Sequence, residues 1–389
     1  MGGVKSTARR ILFASILSMV LSACLFRVTP PMVKIGLVAP FEGLYRAIGY
    51  DALFAVRLAL RERNQAGGVA GYRVDLVALD DSAEPQQAQE QARELALDPQ
   101  VMGVIGHLRD ETTLAAAPVY HEQGLPLIAL GAPSLVLDGN DQTTVFRLDA
   151  DQSHTALSLL DYARSDLRVK RLALLGFRDD VMDNLLEAVR EFGDMEIRTY
   201  PSARALLDGV ARDARDAILY AGADQSGAQF IDSLRETGSR SVLLGDQGLD
   251  TPIFVAWAGR EADGVVYASS NVLVDDPEFI AQYRGLAATD PGPQAALAYD
   301  AAGLLLRAIE ESIRRQGLPT RRGVLESLRR GEIYVGLTGD VRFDQNGQRV
   351  NTPVYLYRIE SGRYPGVVAR KYSHSYFSYH HSCGHPHTL

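Results

Sequence analysis

From Val33 onward, the apolar positions of the chain switch between two periods. Val33-Lys34-Ile35-Gly36-Leu37-Val38 is a short apolar run ending in a Pro/Gly turn, the pattern of a buried strand. Ala52, Val56, Ala59 and Leu60 then recur at helical spacing as far as Asn64, and Gly67-Gly68 closes that helix as C-terminal glycines do. Tyr72 to Leu79 alternates and predicts a strand. Pro85 suits the first turn of a helix running to Leu97, which Asp98-Pro99 stops. Strand, helix and strand follow over 101–105, 111–123 and 125–130. This β-α-β-α rhythm predicts a parallel sheet covered on both faces.

The rhythm restarts after residue 150. Leu172–Leu175, Ala217–Tyr220 and Val242–Leu244 are candidate buried strands, separated by helical segments around 153–165, 180–192 and 225–237. Residues 293–330 are mostly helical. Residues 333–360 differ, and Asn346-Gly347 there is a tight-turn signal. No repeat of 20–50 residues appears. The coarser repetition is of two α/β units of similar size, which fits a two-lobed binding protein and a two-domain enzyme equally well.

Composition narrows the choice little. The 389 residues are 46% apolar and 23% charged, enough to bury a large core. The net charge of -8, without a basic block beyond the N-terminus, argues against nucleic acid as a partner. Cys24 and Cys383 are the only cysteines, so the body has no disulfide framework. Residues 1–24 read as an export signal: Lys5, Arg9 and Arg10 precede an apolar stretch, Ile11 to Leu21, that is too short for a membrane span. Leu21-Ser22-Ala23-Cys24 resembles a bacterial lipobox, which implies acylation of Cys24, an extracytoplasmic lipid-anchored protein and a tether over 25–32. The alternatives are an uncleaved anchor or a plain secretory signal.

Several stretches together resemble the type I periplasmic binding proteins, in the leucine/isoleucine/valine- and amide-binding group. They are Ile35-Gly36-Leu37-Val38-Ala39-Pro40 with Gly43 and Gly49; Asn64 to Val69 with Gly71; Asp80-Asp81 with Pro85 and Ala88; Val104 to Leu108; Ala298-Tyr299-Asp300-Ala301; and Gly339 to Asp344 with Gly347. The resemblance spans roughly residues 33–360. It implies an α/β fold of two Rossmann-like lobes with parallel central sheets, joined by a three-strand hinge as in a Venus flytrap. Lobe one would take 33–147 with 270–331, and lobe two 148–269 with 332–370. The implied role is capture of a small polar solute, an amino acid or amide, for ABC permease subunits. A monomer without cofactor or metal is expected.

Open α/β sheets bind ligands beyond the carboxyl ends of their strands. This places the expected cleft loops at 40–45, 107–112, 131–134, 177–181, 222–226 and 246–248. In the family, the loop after the third strand holds a ligand carboxylate with a hydroxyl and helix N-terminal donors. Here that loop is Leu108-Arg109-Asp110-Glu111-Thr112-Thr113, with Asp110 where a Ser is expected. Arg109 would have to compensate for that charge, or Asp110 is simply an N-cap. Gly131-Ala132-Pro133-Ser134 keeps the family's Gly-Ala step but has Pro133 for Thr. The aromatic platform aligns near Val181, and the acidic partner of a ligand ammonium aligns with Gln247, beside Asp246. Glu42, Asp180 and Asp224 stand on other cleft loops. Most such charges belong to a solvated rim; if several face inward, a cationic or polyhydroxylated ligand fits better than leucine.

The motifs G-x-S-x-G, H-E-x-x-H, G-x-x-x-x-G-K-[ST] and G-x-G-x-x-G are absent, so no enzyme signature is found. His107, His121 and His154 are scattered and read as structural. A ligand-sensing receptor module of the same fold is the main rival. Residues 371–389 hold five histidines and Cys383, and read as a disordered extension or, alternatively, a metal-binding tract.

Overall fold

The computed structural model describes residues 30–131, 144–210 and 215–372. The export signal, Cys24, Ala132, Ser134 and the His-rich tail beyond Tyr372 lie outside them. The first unit runs β1 (Met32–Ala39), α1 (Arg46–Gln65), β2 (Arg73–Asp80), α2 (Pro85–Leu97), β3 (Val101–Gly106), α3 (Asp110–Glu122), β4 (Leu127–Ala129) and β5 (Val145–Arg147). Its strands form a wholly parallel sheet in the order β2-β1-β3-β4-β5.

The second unit runs α4 (Gln152–Ser165), β6 (Arg171–Leu175), α5 (Asp179–Phe192), β7 (Glu196–Tyr200), α6 (Ala203–Val210), β8 (Ala217–Tyr220), α7 (Asp224–Glu236), β9 (Val242–Gly245), α8 (Pro252–Ala258) and β10 (Val266–Ser269). Next come α9 (Pro277–Ala287), α10 (Pro293–Gln316), α11 (Arg321–Arg329), β11 (Tyr334–Gly336), β12 (Gly339–Val341), β13 (Val354–Glu360) and β14 (Arg363–Tyr372). The second sheet has the order β14-β13-β10-β9-β8-β6-β7, parallel except where β13 and β14 join antiparallel.

Each sheet is apolar on both faces because helices cover both. In lobe one, Ile35, Leu37 and Ile105 face Leu53 and Val56 of α1 and Leu305 of α10, while Val38, Val104 and Leu127 face Leu95 of α2 and Tyr120 of α3. Lobe two repeats this, with Leu172, Leu174 and Leu219 against Leu159 and Leu185, and Ile218 and Leu243 against Ile231 and Phe254. Burying one such side chain contributes roughly 1.5–3 kcal/mol, so these layers dominate folding.

The chain crosses between the two cores three times: after Arg147, after Ser269 and again before Val354. The expected boundary at residue 332 is corrected by packing. Val341 and Phe343 are buried in the first core. Asp300 of α10, fully buried, accepts the N–H groups of Leu337 and Thr338 and the Thr338 hydroxyl at 2.6–2.8 Å. The β11–β12 hairpin therefore belongs to lobe one. Among the described residues, no helix is long and apolar enough to cross a membrane.

Candidate functional site

A cleft of about 760 Å³ lies between the lobes, lined from both sides. Lobe one contributes the ends of β3 and β4 and the start of α1; lobe two contributes the ends of β6, β8 and β9. Two glycines let the backbone run close at its floor. A Cβ on Gly176, which has φ +89°, would lie 2.0 Å from the Ala221 carbonyl oxygen, and one on Gly131 would lie 2.2 Å from that of Leu108.

The loop after β3 is fixed from below. His107 is fully buried, with Nδ1 2.7 Å from Asp81 and Nε2 3.1 Å from the Tyr120 hydroxyl. This network anchors the base of α3, so His107 is structural, as the sequence suggests. The cap of α3 corrects the sequence reading: Arg109 holds the N-cap position, with extended backbone, and Asp110 and Glu111 occupy the first turn. Both carboxylates sit at the positive end of the helix dipole.

Of the residues singled out from sequence, Arg109, Asp110, Glu111, Gly131, Asp246 and Gln247 line the cleft. Four others do not. Glu42 is exposed and is not part of the lining. The buried Thr112 hydroxyl donates back to the Arg109 carbonyl. Asp180 is exposed and takes a two-pronged contact from Arg178. Asp224, 1% exposed, lies beside the cleft, where the lobes touch.

That contact joins three residues. The Tyr45 hydroxyl of lobe one donates to Asp224 Oδ1 at 3.0 Å, and Arg109 reaches to 3.9 Å from Oδ2. The Arg109 guanidinium stacks 4.2 Å from the centre of the Tyr45 ring. On the lobe-two side, Thr251 Oγ1 and the Gln225 N–H complete the Asp224 carboxylate. Burial is the largest cause pushing the Tyr45 phenol up to about 12; Arg109 opposes it and the Asp224 charge reinforces it. Tyr45 therefore stays a donor across the physiological range. Arg109 is engaged here and with Glu111 rather than offered to a ligand.

Gln247, aligned with the family's acidic position, does hinge work as well as lining the cleft. Its Nε2 donates to the Ala150 carbonyl at 3.3 Å and to Ser270 Oγ at 3.1 Å, tying the β9 loop to two crossing segments. Asp246 carries the charge at this end. Its carboxylate accepts Gln152 Nε2 at 2.9 Å, the Gly248 N–H at 3.0 Å and the Gly222 N–H at 3.4 Å. Burial is the dominant influence and raises its carboxyl to about 6. Val181 is fully buried in the second core, so no ring stands at the aligned aromatic position.

Sequence reasoning passed over several wall residues. Tyr50, Phe54 and Tyr283 give lobe one an aromatic wall; Tyr364, Gln152, Asp250 and Asn271 add to the lobe-two side. Burial raises the carboxyls of Asp51 and Asp250 as well. Periodicity could not find most of these residues, because Tyr50, Phe54, Gln152 and Tyr283 lie on helices, Asn271 on a crossing segment and Tyr364 on β14; Asp250 stands only just beyond the expected β9 loop. Among the described residues, no group of three or more His, Cys, Asp or Glu side chains is placed to hold a metal ion.

Comparison with known proteins meets this geometry directly. A periplasmic binding protein family model matches residues 32–363. The chain belongs to the periplasmic binding protein family. An amino acid binding protein of Pseudomonas aeruginosa is 24% identical over 58% of this chain and 63% of that protein, so this chain spans under two thirds of that relative. A Leu/Ile/Val-binding protein homolog of Brucella melitensis is 21% identical over 86% of this chain and 93% of its own. The solved branched-chain amino acid transporter substrate binding protein of Streptococcus pneumoniae, in complex with isoleucine, superposes with a TM-score of 0.70 at 23% identity, covering 88% of this chain and 99% of that one. These findings bear out the two-lobed type I periplasmic binding protein fold read from the sequence. The periplasmic binding protein is a solute-binding protein rather than an enzyme, and its family places it outside the cytoplasm.

Proposed function

We propose that this periplasmic binding protein is the solute-receiving component of an ABC importer, closing two lobes on a small polar ligand of the amino acid or amide kind. The observation that carries the reading is the cleft of about 760 Å³ at the carboxyl ends of strands from both sheets. Three crossing segments allow hinge bending. A ligand that touches both walls only in the closed form shifts the population toward closure, and the permease would recognise that form. The relatives named for amino acids support the ligand class.

The test is a thermal-shift screen over amino acids and amides, followed by small-angle scattering with each hit. Bound ligand raises the melting point by mass action, and closure lowers the radius of gyration. A tight ligand that leaves the radius unchanged would sink the closure mechanism.

The lipid anchor is part of the same proposal and rests on the lipobox-like Leu21-Ser22-Ala23-Cys24. Cys24→Ser should move the protein from the membrane fraction to the soluble fraction; unchanged fractionation refutes acylation at Cys24.

A further inference from the structure

The cleft walls offer acceptors far more readily than donors. Gln152 lies on the lobe-two wall and is 6% exposed. Its Nε2 is committed to Asp246, as it must be, because an ionised carboxylate can only accept. Its Oε1 is consequently left buried without a hydrogen-bond partner among the described residues. Asn271 repeats the arrangement. Its Nδ2 donates to Asp250 at 2.9 Å, and its Oδ1 has no partner among the described residues. Two amide oxygens on one wall thus lack donors, each on a side chain that leans on a buried carboxylate.

Among the described residues, no cation stands beside those carboxylates. Asp246 is held by an amide and two backbone N–H groups. Asp250 is held by Ser269, Asn271 and the Tyr364 hydroxyl. Across the cleft, Asp51 is held by the Tyr283 hydroxyl and the Gly292 N–H. All their donors are neutral. The two arginines of the wall are already matched to acids, Arg109 with Asp224 and Glu111, and Arg178 with Asp180. The start of α3, the natural seat for a ligand carboxylate, carries Asp110 and Glu111 in its first turn.

We propose that the cleft takes a donor-rich cationic solute, an alkylamine or alkylguanidine without a free carboxylate, with its charged head on the wall made by Gln152, Asp246, Asp250 and Asn271. This inference rests on the two-lobed solute-binding reading above and replaces its amino acid or amide class with a cationic one. The cation's N–H groups reach Gln152 Oε1 and Asn271 Oδ1, and its charge lies close to Asp246 and Asp250. The apolar stem packs on Tyr50, Phe54 and Tyr283, which line the facing wall. A zwitterionic amino acid fits poorly, because its carboxylate would meet Asp110 and Glu111 with Arg109 already engaged.

Isothermal titration at pH 7.5 with putrescine, agmatine, L-leucine and L-glutamate tests this, with scattering on the same samples. Putrescine or agmatine should bind at least a hundredfold more tightly than leucine, and glutamate should not bind. Asp246→Asn should weaken the amine at least tenfold; Gln152→Met, which removes only the amide, should weaken it as well while the melting curve shows each variant folded. Leucine binding with compaction, and no amine binding, overturns the cationic class and leaves the solute-binding reading intact. Amine binding that neither variant weakens overturns the assigned wall. If no probe binds and no amino acid or amide compacts the protein, both readings fail.

Discussion

Tyr45→Phe should leave the ligand-free protein more open and its ligand more weakly held. The substitution deletes one hydroxyl, the donor to Asp224 Oδ1 at 3.0 Å across the lobe contact. A hydrogen bond to a charged acceptor contributes about 1.5–3 kcal/mol. Losing it shifts the balance of open to closed forms by about 10- to 100-fold. The lobe-two fold should be unaffected, because Thr251 and the Gln225 N–H still hold Asp224. The Phe ring also keeps its place beneath Arg109. Scattering should give a larger radius of gyration without ligand, and titration should give a raised dissociation constant, by up to that factor, since closure and binding are linked. A radius equal to the parent's would show that this contact does not hold the lobes together. The effect should vary little between pH 6 and pH 9, because the Tyr45 phenol titrates only near 12.

Asp246→Asn should stabilise the ligand-free protein at neutral pH while weakening its ligand. Burial raises the Asp246 carboxyl from 3.8 to about 6. A folded-state value above the unfolded one means that the protonated form is favoured on folding. The contribution is therefore fully present below about pH 4 and is lost as pH rises through about 6. Above that, the ionised group costs about 3 kcal/mol, from a shift of roughly two units at 1.36 kcal/mol each. Asparagine keeps an acceptor for the Gly248 and Gly222 N–H groups, and Gln152 can turn its amide to present Oε1 to the new NH₂. Melting of the variant at pH 7.5 should rise by several degrees, with little difference at pH 4. A variant that melts lower than the parent at pH 7.5 would contradict the desolvation argument. The pairing of higher stability with weaker binding is expected wherever a site keeps an uncompensated buried charge for its ligand.

The layered architecture was legible in the chain because its signal is local. Runs such as Leu172–Leu175 and Ala217–Tyr220 are apolar throughout, which only a strand buried on both faces requires, and they appear as β6 and β8. Pro85 opens α2 and Asp98 ends it, as their backbone preferences dictate. Other elements were not readable. The strand β7, Glu196–Tyr200, is a half-exposed edge with no apolar run, and β14 alternates only weakly. The place of β11–β12 was misread because its anchor, Asp300, is more than thirty residues away in sequence.

The same distinction divides the site. Strand-end loops are a consequence of topology, so the sequence placed Arg109, Asp110, Glu111, Gly131, Asp246 and Gln247 on the cleft. It did not say which way each charge turns. Tyr45 and Asp224 are 179 residues apart and meet only because the two lobes come together. Gln152 lost its oxygen's partner because Asp246, 94 residues away, claimed its NH₂. Periodicity is set by neighbours along the chain and survives in the sequence alone. Hydrogen bonding, desolvation and pKa are set by neighbours in space, and those exist only once both lobes are folded and facing each other.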